Sequence, residues 1–172
     1  MTNKIVFITG VSGTGKSTIL RKLKEQDYAV IGIDEEPGLT NWIHKETDQS
    51  APRGSELTET FLRTHNWGCD TNKLSDLIEQ TQKPLFICGS ADNVIEIMSF
   101  VDVTLLLVCS PETFISRINN RVEHDYGKDE ASLKALLGYY EKYNQTCIDA
   151  GAVEVDAARP LDEVVETILS QI

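Results

Sequence analysis

The segment Gly10-Val11-Ser12-Gly13-Thr14-Gly15-Lys16-Ser17 fits the pattern G-x-x-x-x-G-K-[ST] without a mismatch. Glycines at these steps let a backbone turn tightly and aim successive N–H groups at phosphate oxygens. The lysine and hydroxyl that follow complete the chemistry: Lys16 reaches the β- and γ-phosphates, and the Ser17 hydroxyl ligates Mg2+. The pattern therefore implies a site for a nucleoside triphosphate with Mg2+. Gly10, Val11, Ser12, Gly13, Thr14, Gly15, Lys16, Ser17 and Thr18 are assigned to it.

The flanking sequence supplies what such a loop needs. Residues 4–9 read as a short buried strand, and a helix is expected over 16–26, adding the positive end of its dipole where phosphates would sit. Further strands are expected at 28–33, 85–88, 103–109 and 152–155. Between them run helical stripes, one of Leu74, Leu77, Ile78 and Thr81, another of Leu133, Leu136, Leu137, Tyr140, Asn144, Cys147 and Ile148. A last helix carries Leu161, Val164, Val165, Ile168, Leu169 and Ile172 at steps of three and four, with Pro160 suited to its first turn. Strands alternating with helices imply an α/β fold, a parallel sheet covered on both faces. Ligands in such sheets bind beyond the carboxyl ends of the strands, hence just after Thr9, Ile33, Cys88, Cys109 and Val155.

Of the first four of those strand ends, only the second is followed directly by an acid, Ile33-Asp34; Asp156 follows the fifth. Cys88-Gly89-Ser90 and Cys109-Ser110 carry no carboxylate, which weighs against a dedicated hydrolase that holds its metal there. Arg117 and Arg121 are four apart and face the same side of a helix, where guanidinium groups suit the charge of phosphoryl oxygens. An exposed charged helix is the alternative. Two segments break the strand–helix alternation. Residues 35–68 carry weak helical patterns at 39–44 and 57–65, and residues 121–130 are short, polar and contain Gly127.

Together these features resemble the small P-loop kinases, a group including shikimate, gluconate, adenylate and nucleoside monophosphate kinases. The likeness spans nearly the whole chain. It is most distinctive in Arg117-x-x-x-Arg121, Tyr126-Gly127-Lys128 and Asp156-Ala157-Ala158-Arg159-Pro160-Leu161, a half that is also similar to bacterial shikimate-kinase-like ATP-binding proteins. The resemblance implies a three-layer P-loop fold with five parallel strands in the order 2-3-1-4-5, which brings Asp34 beside the phosphate loop. It implies that Asp34 ligates Mg2+ or orients an acceptor hydroxyl; a solvated cap, Asp34-Glu35-Glu36, for a following helix is the alternative. It further implies that Arg117 lies on the adenine face, that Arg121 approaches the transferring phosphate, and that Arg159 covers the base unless it merely caps a helix. Residues 35–68 would form the acceptor-binding insertion and 121–130 a lid that excludes water, with Lys128 adding charge. Where shikimate kinases have Asp-x-Asp and a glycine run, this chain has Asp34-Glu35-Glu36 and Gly89-Ser90-Ala91.

Candidates for acceptor contact are Arg53 and Arg63, which could grip an anion, and Trp42 and Trp67, which could stack on a ring. His44 and His65 are acid–base candidates, and Asp92-Asn93 either faces the cleft or caps the short segment 94–98. The expected activity is phosphoryl transfer from ATP to a small-molecule hydroxyl or a nucleotide. A nucleotide-binding regulator or slow hydrolase is the alternative.

The remaining composition narrows partners. A chain of 172 residues reads as one domain, 1–172. Its net charge of -11 argues against nucleic acid and anionic membranes as partners. No apolar run approaches the roughly 18 residues of a membrane span, and the N-terminal segment is too short for a signal peptide. Cys69, Cys88, Cys109 and Cys147 form no Cys-x-x-Cys pair and complete no metal spacing with His44, His65 and His124. Reduced thiols in a cytoplasmic protein are expected, with Cys88 and Cys109 in strand cores. Oligomeric state is left open.

Overall fold

The computed structural model describes residues 3–52, 55, 58–120 and 130–172. Among these, five strands form one parallel sheet: β1 (Ile5–Thr9), β2 (Ala29–Gly32), β6 (Leu85–Cys88), β7 (Val103–Val108) and β8 (Val153–Asp156). They agree with the expected strands to within a residue at each end, except that Cys109 lies just past β7 and is only half-buried. Their spatial order is β2-β6-β1-β7-β8. Counting only the strands of this sheet, the order is 2-3-1-4-5, so β6 lies between the two strands whose ends carry the phosphate loop and Asp34.

Alternate residues of these strands feed two cores, as the period of two requires. Val6 and Ile8 of β1, Phe86 and Cys88 of β6, and Leu105 and Leu107 of β7 face α1 (Lys16–Glu25) and α7 (Leu161–Leu169). Phe7, Leu85, Ile87 and Leu106 face the opposite way, onto α3 (Thr71–Gln80), α4 (Val94–Met98), α5 (Pro111–Asn119) and α6 (Glu130–Asp149). The result is three layers. Both faces of the sheet are apolar because both are covered. The α3 and α5 N-termini are capped by Asp70 and Ser110, which accept from the N–H groups of Lys73 and Thr113. Pro160 stands at the N-cap of α7, one residue ahead of the first-turn position expected from the sequence.

The insertion departs from expectation. Residues 39–44, read as weakly helical, are β-structure: β3 (Thr40–His44) pairs antiparallel with β4 (Ser50–Ala51) and with β5 (His65–Cys69). Only the second helical pattern survives, as the short α2 (Glu59–Thr64). The physical reason is cross-strand pairing. Trp42 lies opposite Trp67 with ring centroids 5.1 Å apart, and His44 opposite His65 at 4.9 Å. Such partners, more than twenty residues apart in sequence, decide strand formation where local periodicity is weak.

One close approach holds the strand ends together. Gly89, just after β6, has φ +152°, and a Cβ there would lie 2.1 Å from Ile33 Cγ1 and 3.2 Å from Asp34 Oδ2. The Thr9 hydroxyl donates to the Gly89 carbonyl at 2.9 Å, and Tyr143 donates to Thr9 at 2.6 Å. Gly89→Ala is therefore expected to push Ile33 and Asp34 outward. At about 3 kcal/mol of strain and about 2–4 °C per kcal/mol for this length, its thermal midpoint should fall by roughly 6–12 °C. Calorimetry of the purified variant checks this.

Candidate functional site

Beyond Thr9 the chain leaves β1 into a loop whose conformation only its glycines allow. Gly10, Gly13 and Gly15 have φ of 146°, 96° and 103°. At Gly10 space is limiting as well, since a Cβ would sit 2.8 Å from Thr14 Oγ1 and 2.9 Å from the Leu107 carbonyl oxygen. Thr14 closes the loop, donating to the Val11 carbonyl through both its N–H (3.3 Å) and its hydroxyl (2.9 Å). The Val11 and Thr14 side chains are buried, so these residues offer a ligand only main chain. Thr18 N–H is already engaged with the Gly15 carbonyl at 3.1 Å as α1 begins.

Lys16 lies back across this loop. Its ammonium donates to the carbonyls of Gly10 at 2.6 Å and Val11 at 3.0 Å. Burial lowers its pKa from 10.5 to about 8, while the negative charge of Asp34 works the other way. Lys16, Ser17, Asp34, Glu35, Cys88 and Gly89 line one pocket at the carboxyl end of the sheet. The Cys88 thiol, pushed up to about 12 by burial, stays protonated there.

Asp34 reaches the pocket because β2 ends one strand away from β1. The reading of Asp34-Glu35-Glu36 as a helix cap is corrected. The N–H groups of Glu35 and Glu36 both bond to the Gly32 carbonyl at 2.9 Å, closing a turn that leads to β3 and not to a helix. Glu35 itself pairs with Lys24 at 2.8 Å on the surface. Asp34 Oδ1 accepts the indole N–H of Trp67 at 3.1 Å. Trp67 therefore meets a carboxylate through its edge, while Trp42 packs edge-on against Trp67 and Phe61.

The other candidates sort by position. Arg117 on α5 donates to the Thr14 carbonyl at 3.3 Å and the Ala157 carbonyl at 2.7 Å, bridging the phosphate loop and the turn after β8. Arg159 pairs with Glu163 at 2.7 Å on the surface of α7. His65 stacks on Phe61 at 4.0 Å, and its Nδ1 lies 3.1 Å from the Phe61 carbonyl oxygen, which makes it a packing residue of the small sheet. Arg63 is exposed on α2. Arg53, Arg121 and Lys128 lie outside the described residues, as does residue range 121–129 of the expected lid.

Asn93 stands at the N-cap position of α4, but the capping expected of the Asp92-Asn93 side chains is not made. Both side chains instead clasp β5. Asp92 Oδ2 accepts from Trp67 N–H at 2.6 Å, and Asn93 exchanges two bonds of 2.9 Å with the main chain of Cys69. A row of tyrosines on α6 was not legible as functional. Tyr139 donates to Asp92 at 2.9 Å, Tyr140 to the Cys109 carbonyl at 2.7 Å, and Tyr143 to Thr9. The signal for them was a run of phenols at helical spacing, each an apolar body with a polar tip.

Magnesium takes hard oxygen ligands and needs only one or two from protein when phosphates supply the others. Ser17 and Asp34 meet that requirement on one pocket wall, and Mg2+ fits them. Among the described residues, no group of three or more His, Cys, Asp or Glu could hold a metal ion by itself. Among them, too, no helix is long and apolar enough to cross a membrane.

A five-stranded parallel sheet with this loop and this strand order defines a P-loop nucleotide-binding protein with the fold of the small kinases. The profile of the AAA domain family AAA_18 matches residues 6–138, and the chain belongs to that family. No curated protein matches it. Similar solved structures include a shikimate kinase from Aquifex aeolicus vf5 at 19% identity, with a TM-score of 0.59 and 97% of this chain and 94% of that one covered. A deoxyadenosine kinase from M. mycoides with bound dATP is similar at 16% identity, TM-score 0.54, over 97% and 98%. A gluconokinase from Sinorhizobium meliloti 1021 is similar at 21%, TM-score 0.51, over 98% and 90%.

Lys16 carries a testable cost. With its folded pKa below its unfolded value, the folded state binds fewer protons between about pH 8 and 10.5, so stability rises with pH across that window. Below it, keeping the ammonium buried costs about 3 kcal/mol with its own interactions included, and an apolar replacement gives back part of that by leaving the two carbonyls unpaired. Lys16→Met should therefore be more stable than wild type by about 1–2 kcal/mol at neutral pH, a difference that shrinks toward zero above about pH 10. Urea unfolding at a series of pH values measures it.

Proposed function

We propose that this protein is an ATP- and Mg2+-dependent phosphotransferase acting on a small-molecule hydroxyl or a nucleotide acceptor. The observation that carries the reading is the meeting of Lys16, Ser17 and Asp34 in one pocket at the carboxyl end of the sheet. The small sheet β4-β3-β5, attached beside that pocket, is the acceptor side. The similar structures named above are kinases of deoxyadenosine, shikimate and gluconate, which supports the reaction class.

The loop amides between Gly10 and Ser17 bind the phosphates, and Lys16 exchanges its carbonyl partners for the β- and γ-phosphate oxygens. That exchange restores an anionic neighbour and raises the proton affinity that burial had lowered. Mg2+, when bound, would supply positive charge that neutralises the phosphates. Ser17 and Asp34 hold it, or Asp34 orients the acceptor hydroxyl for attack. Arg117 steadies the loop from the adenine side through the Thr14 carbonyl. Arg121 is assigned to the transferring phosphoryl and residues 121–130 to a lid. Positioning and electrostatics carry the step, with no covalent intermediate. The free thiols fit a reducing, cytoplasmic setting.

Incubation with ATP, Mg2+ and pools of nucleosides, nucleoside monophosphates, polyols and aminoglycosides tests this, read by mass spectrometry. A phosphorylated acceptor is expected. Lys16→Ala should lower transfer by on the order of 10²-fold or more, with the circular dichroism spectrum unchanged. Inorganic phosphate released regardless of the pool would identify a hydrolase, and neither product would identify a regulator.

ATP affinity has its own pH signature. Free Lys16 loses its proton near pH 8, whereas phosphate-bound Lys16 keeps it. Affinity should fall above about pH 8, approaching tenfold per unit. Calorimetric titration in buffers of different ionisation heat should show proton uptake on binding in that range.

A further inference from the structure

Trp67 touches the nucleotide side of the molecule and the acceptor side at once. Its main chain is pinned to the end of β6: its N–H donates to Asp92 Oδ2 at 2.6 Å, and its carbonyl accepts from Asp92 N–H at 2.7 Å. The Asp92 carboxylate is itself held by the Tyr139 hydroxyl at 2.9 Å. One turn of sheet further on, the Asn93 side chain exchanges both amide bonds with Cys69. From this anchored backbone the indole extends to the end of β2 and donates to Asp34 Oδ1 at 3.1 Å. The other oxygen, Oδ2, lies where Gly89 offers no Cβ.

A carboxylate at a turn rotates about χ2 with little preference. Magnesium demands near-ideal octahedral geometry, so a ligand that swings costs affinity. A single charge-assisted N–H donor from a rigid partner removes that freedom. Indole N–H is a donor only, and so it orients Asp34 without competing for the cation.

We propose that Trp67 is the positioning residue for Asp34, fixing its carboxylate toward the Mg2+·ATP pocket and tying the set of the small sheet to metal binding. This rests on Asp34 contacting the metal, as argued above. The test compares ATP dissociation constants with Mg2+ and with EDTA for the wild type, Asp34→Asn, Trp67→Phe and Trp42→Phe. Asp34→Asn should erase most of the gain that Mg2+ gives. Trp67→Phe, which keeps a ring and loses the N–H, should lose about tenfold of that gain with its EDTA affinity unchanged, as supporting partners of metal ligands do. Trp42→Phe should keep the wild-type gain.

An Asp34→Asn protein with the full gain overturns the metal reading and this proposal together. Asp34 dependence combined with a wild-type gain in Trp67→Phe overturns the proposal alone. Equal losses in Trp67→Phe and Trp42→Phe, or a loss that persists in EDTA, also overturn it, because packing alone would explain them. A second readout does not depend on the stability of Trp67→Phe. The chain has two tryptophans, so in Trp42→Phe the emission comes from Trp67. Adding Mg2+ to the ATP-saturated protein should shift that emission, and an unchanged spectrum overturns the proposal.

Discussion

An ammonium group withdrawn from water needs oxygen atoms around it, and Lys16 has two main-chain carbonyls of its own loop at 2.6 and 3.0 Å. Those carbonyls point inward because Gly10, Gly13 and Gly15 occupy backbone conformations closed to other residues. The loop thus folds the carbonyls of Gly10 and Val11 onto the lysine. The depressed proton affinity of Lys16 is the cost of this arrangement, and an anionic ligand beside it would relieve that cost. Loop, helix and cation are one electrostatic device, and the sheet exists in this region to hold it at the end of β1.

The second dependency is spatial. With β6 between β1 and β2, the ends of three strands converge, and Gly89 is the point at which a side chain would collide with Ile33 and Asp34 beyond β2. The same short stretch after β6 then fastens everything else. Gly89 accepts from Thr9, which Tyr143 holds from α6, while Asp92 and Asn93 hold β5. A segment of five residues therefore sets the distance between phosphate loop, carboxylate and small sheet. The tyrosines of α6 extend that control to the helix that follows residues 121–129.

The parts legible in the sequence are those whose information is local. The phosphate loop is contiguous, and the five parallel strands announce themselves as short apolar runs between helical stripes. Asp34 follows from position, the one acid at the expected end of any of the first four parallel strands, although only the strand order brings it next to Lys16. The small sheet was not legible because its stability comes from pairs such as Trp42 with Trp67, and His44 with His65, that a window of local sequence never contains together. Asp92 and Asn93 were legible as polar groups near the cleft, but a cap, a ligand contact and a clasp on a distant strand use the same side-chain chemistry. Arg117 shows the converse. Its guanidinium was recognised as suited to oxygen atoms, and the oxygens it holds are carbonyls of Thr14 and Ala157.

The contrast between the two sheets bears on how such a protein divides its work. The large sheet is held by apolar packing on both faces, which is insensitive to small changes of orientation and keeps the glycine-loop end constant. The small sheet joins it through directional bonds: an indole to a carboxylate, an aspartate and an asparagine to main-chain groups, a phenol to the aspartate. Directional bonds keep their strength only over a narrow range of geometry. A ligand that shifted β5 by even a fraction of a bond length would therefore be felt at Asp34, whereas the same shift in a purely apolar contact would be absorbed. The small sheet is attached by the kind of interaction that transmits its position, and under the proposed function the carboxylate it is attached to is the one where that position would matter.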